Sequence, residues 1–122
     1  MAGHLVISAT RRVAVLHLVG DHDLVSEAEV MRLLDRLGTQ TRVLVLDLTY
    51  ATFLSPSSLA RCVRHWRQKA PGDRIILAVG AHGVVARALW FVPDITNPSM
   101  PELALPSGLR DELATLGPPA LP

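Results

Sequence analysis

The sequence is poor in the residues that would indicate a disulfide framework, a membrane span or a strongly charged partner. It has one cysteine and only 4% aromatic residues. A single cysteine cannot close an internal disulfide, and no stretch approaches the roughly 18 consecutive apolar residues of a membrane helix. Lysine and arginine number 12 against 11 acidic residues, so charge gives no case for nucleic acid or a membrane as the main partner.

Apolar residues, by contrast, are abundant, at 49% of the 122 residues. A chain of this length buries roughly 65 to 70% of its extended surface and needs neither metal nor disulfide. We expect a single domain over residues 1–122, with its core at about 5–116 and a proline-rich tail at 117–122. The first eight residues, M-A-G-H-L-V-I-S, lack a basic lead, so we expect no signal peptide and a cytoplasmic protein.

Short apolar runs alternate with amphipathic segments along the chain. Strands are predicted at Leu5–Ser8, Val13–Leu18, Val43–Leu48 and Ile75–Val79, with a short edge strand at Glu102–Leu105. Helices are predicted at Glu27–Leu37, from Ser55 to Lys69, at Val84–Phe91 and at Ser107–Leu116. The four-residue turn after Ser8 suits an antiparallel hairpin, and helices between later strands suit parallel crossovers. The expected class is therefore α/β, with a mixed sheet, an N-terminal antiparallel hairpin and about four helices.

Local signals indicate where several of these elements end. The polar segment Gly20–Asp23 is expected to break the second strand, and Ser26 followed by Glu29 has the spacing of a capping box. Gly38 is expected to end the first helix in a left-handed conformation, and Ser107 to cap the last helix. These signals predict the boundaries of the helices more specifically than hydrophobic periodicity does.

Helical and strand periodicity also separates core from surface. Cys62 and Trp66 fall on the apolar face of the second helix, and Trp90 is expected to point inward from the third. His17 is the single polar member of one face of its strand and is interpreted as structural. None of these four side chains is therefore a candidate for chemistry.

The start of the second helix carries the clearest functional signal. Ser55 suits the N-cap and Pro56 the first helical position, which places Ser57 and Ser58 in the first turn. Backbone donors and the helix dipole favour negative charge there. Because this turn follows a central strand, it should lie at the carboxyl edge of the sheet together with Asp23.

The outer side of the same helix is basic. Its cationic residues are Arg61, Arg64, Arg67 and Lys69. Such a stripe is usually a solvated helix face, but beside Ser57 it could also be a docking surface for an acidic partner. The sequence leaves both interpretations open.

The motifs, in this order, resemble the STAS domain family, whose simplest members are bacterial anti-sigma factor antagonists. Gly20–Leu24 resembles the family's Gly-Glu-Leu-Asp segment, and Val45–Leu48 with Thr52–Leu54 resembles its central strand and the approach to its key loop. Ser55–Leu59 stands where that loop usually has Asp-Ser-Ser-Gly-Leu. Gly72–Arg74, leading into an apolar strand, and the later Ala86–Leu89 helix complete a match that covers roughly residues 5–116.

The resemblance implies a protein switch rather than an enzyme, with no cofactor and no metal. In the family, the dephosphorylated domain binds an anti-sigma factor that is also a serine kinase, phosphorylation of the loop's second serine ends that binding, and a phosphatase restores it. By position the phosphoacceptor would be Ser57. Taking the resemblance, the sheet edge and the basic stripe together, the expected partner-binding residues are Asp21, Asp23, Ser55, Ser57, Ser58, Arg61 and Arg64.

Three loop residues depart from the family, since Ser55, Pro56 and Ser58 replace its aspartate, first serine and glycine. A divergent member that binds a protein constitutively, or senses a small ligand or nucleotide, therefore remains an alternative. A serine hydrolase would need Ser57 beside one of the histidines, and no Gly-x-Ser-x-Gly elbow is present. Nor do the five histidines have metal-ligand spacing; they are His4, His17, His22, His65 and His82.

Overall fold

The computed structural model describes residues 3–69, 72, 74–93, 95 and 105–116. Its strands are β1 His4–Ala9, β2 Val13–His22, β3 Val43–Asp47, β4 Ala51–Leu54 and β5 Ile75–Val79. Its helices are α1 Leu24–Asp35, α2 Pro56–Gln68, α3 Gly83–Leu89 and α4 Ser107–Ala114. The predicted edge strand at Glu102–Leu105 falls almost entirely outside the described residues, as does the tail at 117–122.

A mixed sheet organises these elements. The main path of the sheet is β1-β2-β3-β5. β1 is antiparallel to β2, with Leu5 opposite Leu18, and both β3 and β5 continue the sheet in parallel. The predicted α/β class with an N-terminal antiparallel hairpin is thus confirmed.

The expectation that Gly20–Asp23 would break the second strand was wrong. β2 continues to His22 because its last residues find a new parallel neighbour, β4, with Asp21 opposite Phe53. The register shifts between Gly20 and Asp21, and Gly20 has a φ of 80°, a value that glycine adopts without a steric penalty. This irregularity directs the end of β2 away from β3 and toward β4.

The predicted ends of two helices also need correction. α1 begins at Leu24, not at a Ser26 cap, because the Asp23 carboxylate accepts a hydrogen bond of 2.9 Å from the Val25 backbone N–H. It ends with Arg36 in a right-handed conformation, so Gly38 does not provide the expected left-handed terminus. Ser107 lies inside α4, whose N-cap position is occupied by Pro106.

Helices cover the two faces of the sheet unequally. α1, α2 and α3 pack on one face, and the buried side chains include Leu16, Leu46, Val30, Trp66 and Val85. α4 lies over the other face, where Val13, Val15, Val43, Val45 and Leu77 form a second cluster. Because side chains alternate along a strand, odd and even positions of the same strand serve different clusters.

The two tryptophans have different environments. Trp66 is fully buried on the inner face of α2, as predicted. Trp90 is 82% exposed, so its assignment to the core was wrong. It follows the last residue of α3, and the inward face of that helix is already supplied by Val85, Ala88 and Leu89.

Candidate partner-binding site

The serine turn, defined as Ser55 to Ser58, lies where β4 passes into α2. The Ser55 backbone N–H donates to the carbonyl of His22 at 2.9 Å, which fastens the turn to the end of β2. Its hydroxyl accepts from the Ser58 backbone N–H at 3.5 Å, and Pro56 is the first residue of the helix. The predicted helix start and N-cap are therefore confirmed.

Ser57 and Ser58 are adjacent but have different access to solvent. Ser57 is exposed, and its hydroxyl oxygen lies 3.3 Å from that of Ser55. Ser58 is only 6% exposed, and its hydroxyl has no hydrogen bond of ordinary geometry. It lines a cavity of about 20 Å³ shared with Asp23, Ser55 and Glu27. Only Ser57 of this pair presents its oxygen to an incoming reactant.

Asp21 and Asp23 hold the backbone around the turn. Asp21 accepts a hydrogen bond of 2.5 Å from the Thr52 hydroxyl, which joins the end of β2 to β4. That hydrogen bond is the main reason that the pKa of Asp21 is lowered. Asp23 caps α1. The structure places Asp23 beside Ser55, as predicted, and Asp21 on the adjoining end of β2. It gives both residues structural roles that the sequence did not reveal.

His22 is a second residue whose role was not recognised in the sequence. Its ring is buried, with Nε2 3.0 Å from the carbonyl of Val19 and Nδ1 3.2 Å from the Ser26 hydroxyl. Burial lowers the pKa of His22, outweighing the carbonyl groups that favour its charged form. The ring is thus held by its own segment, and it is the backbone carbonyl of His22 that accepts the hydrogen bond from the serine turn.

The basic stripe on α2 is interrupted by acidic residues of α1. Arg61 donates to the Glu27 carboxylate through two nitrogens, at 2.7 and 2.9 Å. Lys69 lies 3.2 Å from Asp35, which also bonds to His65 at 2.7 Å. The pKa of Glu27 is lowered, mainly by hydrogen bonding from Arg61 and further by the nearby Ser58 hydroxyl.

These ion pairs tie α1 to α2, so the two helices offer a partially neutralised surface. Arg64 is exposed on the outer side of α2 and Arg67 is half-buried. The sequence could not reveal the pairing, because Glu27 and Arg61 are far apart in the chain.

Exposed apolar side chains border the serine turn. Leu24 and Val25 begin α1 and are 64% and 87% exposed, and Phe53 in β4 is 43% exposed. Val84 in α3, the helix packed against β4, is also exposed. We refer to Leu24, Val25, Phe53 and Val84 as the apolar rim. These four exposed side chains lie on three elements, α1, β4 and α3, and we take them as a candidate binding surface.

The structure gives no support to the hydrolase or metal interpretations. His22 bonds within its own segment, His65 bonds to Asp35, and His82 lies 3.1 Å from the carbonyl of Gly80. His17 is buried and bonds to Asp47 at 2.7 Å, as expected of a structural histidine. Among the described residues, no three metal-ligating side chains come together.

No known protein family model matches this chain, and no curated protein resembles it in sequence. Solved structures do resemble it. An anti-sigma factor antagonist from Mycobacterium paratuberculosis superposes with a TM-score of 0.58 at 16% identity, over 94% of each chain. The antagonist SpoIIAA in its unphosphorylated form gives a TM-score of 0.53 at 17% identity, over 84% of this chain and 93% of that one.

The phosphorylated form of SpoIIAA, a Bacillus cell fate determinant, gives a TM-score of 0.54 at 15% identity, over 84% of this chain and 96% of that one. At identities this low, the superpositions establish a common fold and nothing further. Within the described residues, no helix is long and apolar enough to cross a membrane. The superpositions show that the chain has the STAS fold, in the form seen in anti-sigma factor antagonists.

Proposed function

We propose that this protein is an anti-sigma factor antagonist-like switch that binds an anti-sigma factor with serine-kinase activity through the serine turn and the apolar rim. Phosphorylation of Ser57 ends the binding, and a serine phosphatase restores it. One observation carries the proposal: Ser57 is exposed in the first turn of α2, which directly follows β4 with its exposed Phe53.

The position of Ser57 favours it over the two other serines of the turn. The Ser55 hydroxyl is occupied as the N-cap of α2, and Ser58 is 6% exposed. A kinase must bring the hydroxyl oxygen into line with the phosphate it transfers, which a buried side chain does not allow. Exposure therefore selects the same residue that the family resemblance selects.

The location also explains how a phosphate would act without unfolding the domain. A phosphoserine carries about −1.5 to −2 charges, and a helix N-terminus stabilises negative charge by about 0.3 to 1 kcal/mol. SpoIIAA has been solved in unphosphorylated and phosphorylated forms with this fold. A partner packed on the apolar rim would instead have to desolvate that charge, so binding is lost and the fold is kept.

Arg61 extends this argument to the neighbouring helix. It lies one turn after Ser57 on the same side of α2, the spacing at which helical side chains meet. Its guanidinium is bound to Glu27. A phosphate on Ser57 would compete with Glu27 for Arg61, which changes the charge pattern that a partner meets across α1 and α2.

The alternative of a nucleotide sensor at the serine turn is less well supported. The cavity beside Ser58 is about 20 Å³, whereas small-molecule sites are usually about 300 to 1,000 Å³. A constitutive protein-binding domain without a phosphorylation cycle would use the same apolar rim. The experiment below distinguishes it from the switch.

The test is co-purification from the native host, with mass spectrometry of bound proteins and of phosphoserine. We expect phosphate on Ser57, with partner binding retained by Ser57→Ala and weakened at least tenfold by Ser57→Asp. Ser58→Asp is not a usable control because it buries a charge, so Ser58→Ala serves instead and should leave phosphorylation at Ser57 intact. Equal affinity of Ser57→Ala and Ser57→Asp, with no phosphoserine, would contradict the switch and leave constitutive binding.

A further inference from the structure

We propose a second, separate binding site, a basic cleft at the opposite edge of the sheet that takes a small polyanion through its phosphate groups. The cleft has a volume of about 310 Å³ and is lined by Arg11, Arg12, Thr39, Gln40 and Arg42. Three of these lining residues are arginines, and no acidic side chain lines the cleft within the part of the chain that the structure describes. The proposal does not depend on the function assigned to the serine turn.

Two loops build the cleft, and backbone hydrogen bonds fix them to each other. The β1–β2 turn supplies Arg11 and Arg12, and the segment between α1 and β3 supplies the rest. The carbonyl of Arg12 accepts from the backbone N–H groups of Arg42 at 2.7 Å and Val43 at 3.1 Å. The Arg11 side chain donates to the Gln40 amide oxygen at 2.5 Å. The arginines therefore project from a fixed backbone, not from independent loops.

A buried cation behind the cleft increases the positive potential. Arg74 is 6% exposed and donates to the carbonyls of Trp66 at 2.6 Å and Gly38 at 3.5 Å. Burial, and in addition the charge of Arg42, lowers the pKa of Arg74. Glu112 binds Arg12 and offsets part of this charge. A bound anion would reduce the repulsion between Arg42 and Arg74.

The chemistry of the lining indicates the class of ligand. Guanidinium groups bind phosphate oxygens in a planar, two-pronged arrangement, and the Thr39 hydroxyl and Gln40 amide add further donors. None of the described residues that line the cleft is aromatic or aliphatic, so none of them offers a surface to a nucleobase or an acyl chain. Recognition through a phosphate chain is therefore expected, in a volume at the lower end of small-molecule sites.

The cleft is remote from the serine turn. β2 spans the sheet from Val13, beside the cleft, to His22, beside the turn, and at about 3.3 Å per residue these ends are roughly 30 Å apart. A ligand in the cleft would not touch Ser57, so the two sites are tested independently.

Tripolyphosphate is the probe, titrated into the full chain at low salt and followed by calorimetry. We expect saturable binding of one equivalent that weakens as salt is added. Because a hydrogen bond to a charged group contributes about 1.5 to 3 kcal/mol, Arg11→Ala and Arg42→Ala should each weaken binding about tenfold or more. Arg64→Ala removes the same charge from exposed α2 and should change affinity by less than twofold.

Three results would overturn the proposal: no saturable binding below 1 mM, equal weakening by Arg64→Ala, or tighter binding of a polyglutamate peptide in the same cleft. Thermal unfolding of each variant checks folding. If an alanine variant is unfolded, Arg11→Lys and Arg42→Lys keep the charge but lose the two-pronged geometry, and they should still bind more weakly than the wild type. Amide shifts of Thr39 and Gln40 on titration locate the ligand directly.

Discussion

At the scale of single residues, the serine turn shows how environment divides similar side chains among different tasks. Ser55 caps a helix, Ser57 is exposed, and Ser58 is enclosed in a small cavity. The cap was predictable because serine followed by proline is a local signal. The burial of Ser58 was not, because it depends on the packing of α1 against α2.

Long-range contacts explain the other residue roles that the sequence did not reveal. Asp21 bonds to Thr52 and Glu27 to Arg61, and each partner is more than 30 residues away in the chain. The sequence marked Asp21 as an expected partner-binding residue and Glu27 only as the start of the predicted first helix. The first pair depends on β4 lying beside the end of β2, and the second depends on the packing of α1 against α2.

His22 is expected to make stability fall on mild acidification. Because burial lowers its pKa in the folded protein, the unfolded chain binds the proton more readily once the pH drops below about 6.5. The free energy of unfolding should therefore be at its full value above about pH 7 and should decline toward pH 5. His22→Gln, measured by urea unfolding across this range, should show a shallower decline.

Comparison of wild type and His22→Gln at pH 8 isolates the packing cost of the substitution, since the histidine is neutral in the folded and unfolded states there.

The carboxylates with lowered pKa affect stability in a separate, more acidic pH range. Asp21, Asp35 and Asp47 contribute stability that is present above about pH 4 and lost below it. Parallel stability curves for wild type and His22→Gln between pH 7 and 5 would refute the role given to His22.

At the scale of elements, the sequence predicted most helices and strands but placed some of their ends wrongly. The apolar runs of β3 and β5 and the stripe of α2 are strong periodic signals. β4, with the sequence A-T-F-L, is only four residues long, too short for its periodicity to predict a strand. Once β4 is omitted, the end of β2 has no visible partner and is naturally interpreted as a loop.

The two N-caps flanking the site should differ in energy. Asp23 accepts at 2.9 Å, whereas Ser55 accepts at 3.5 Å, near the limit for a useful hydrogen bond. Replacing an N-cap by alanine costs about 0.5 to 2 kcal/mol, so we expect about 1 kcal/mol or more for Asp23→Ala and about 0.5 kcal/mol for Ser55→Ala. Chemical denaturation of both variants measures this.

The exposed Ser57→Ala is the matched control for these caps, since it removes a hydroxyl that caps nothing. Its effect on the free energy of unfolding should be within about 0.5 kcal/mol. A larger loss from Ser55→Ala than from Asp23→Ala would show that hydrogen-bond length does not govern these two helix starts.

At the scale of the whole molecule, hydrophobic patterning predicted the sheet and its N-terminal hairpin. It could not predict which helices share a face. α1, α2 and α3 lie together over the larger cluster and α4 lies alone on the other side. That division follows from the crossover path, which no local sequence signal specifies.

Substituting each of the two tryptophans measures how much a side chain buried in the larger cluster contributes to the free energy of unfolding. Trp66 is fully buried and stacks against Arg74, whose guanidinium carbon is 4.4 Å from the ring centroid. Trp66→Ala should cost about 3 to 5 kcal/mol, while Trp90→Ala, at an exposed site, should stay within about 0.5 kcal/mol. Thermal melts of both variants test this, and comparable losses would place Trp90 in the core after all.

The backbone bond between Ser55 and His22 has a consequence for the speed of recognition. A binding segment that is already fixed to the sheet loses little conformational freedom when a partner binds. Under the proposed function, the association rate should therefore change little, and phosphorylation of Ser57 should act mainly by shortening the lifetime of the complex.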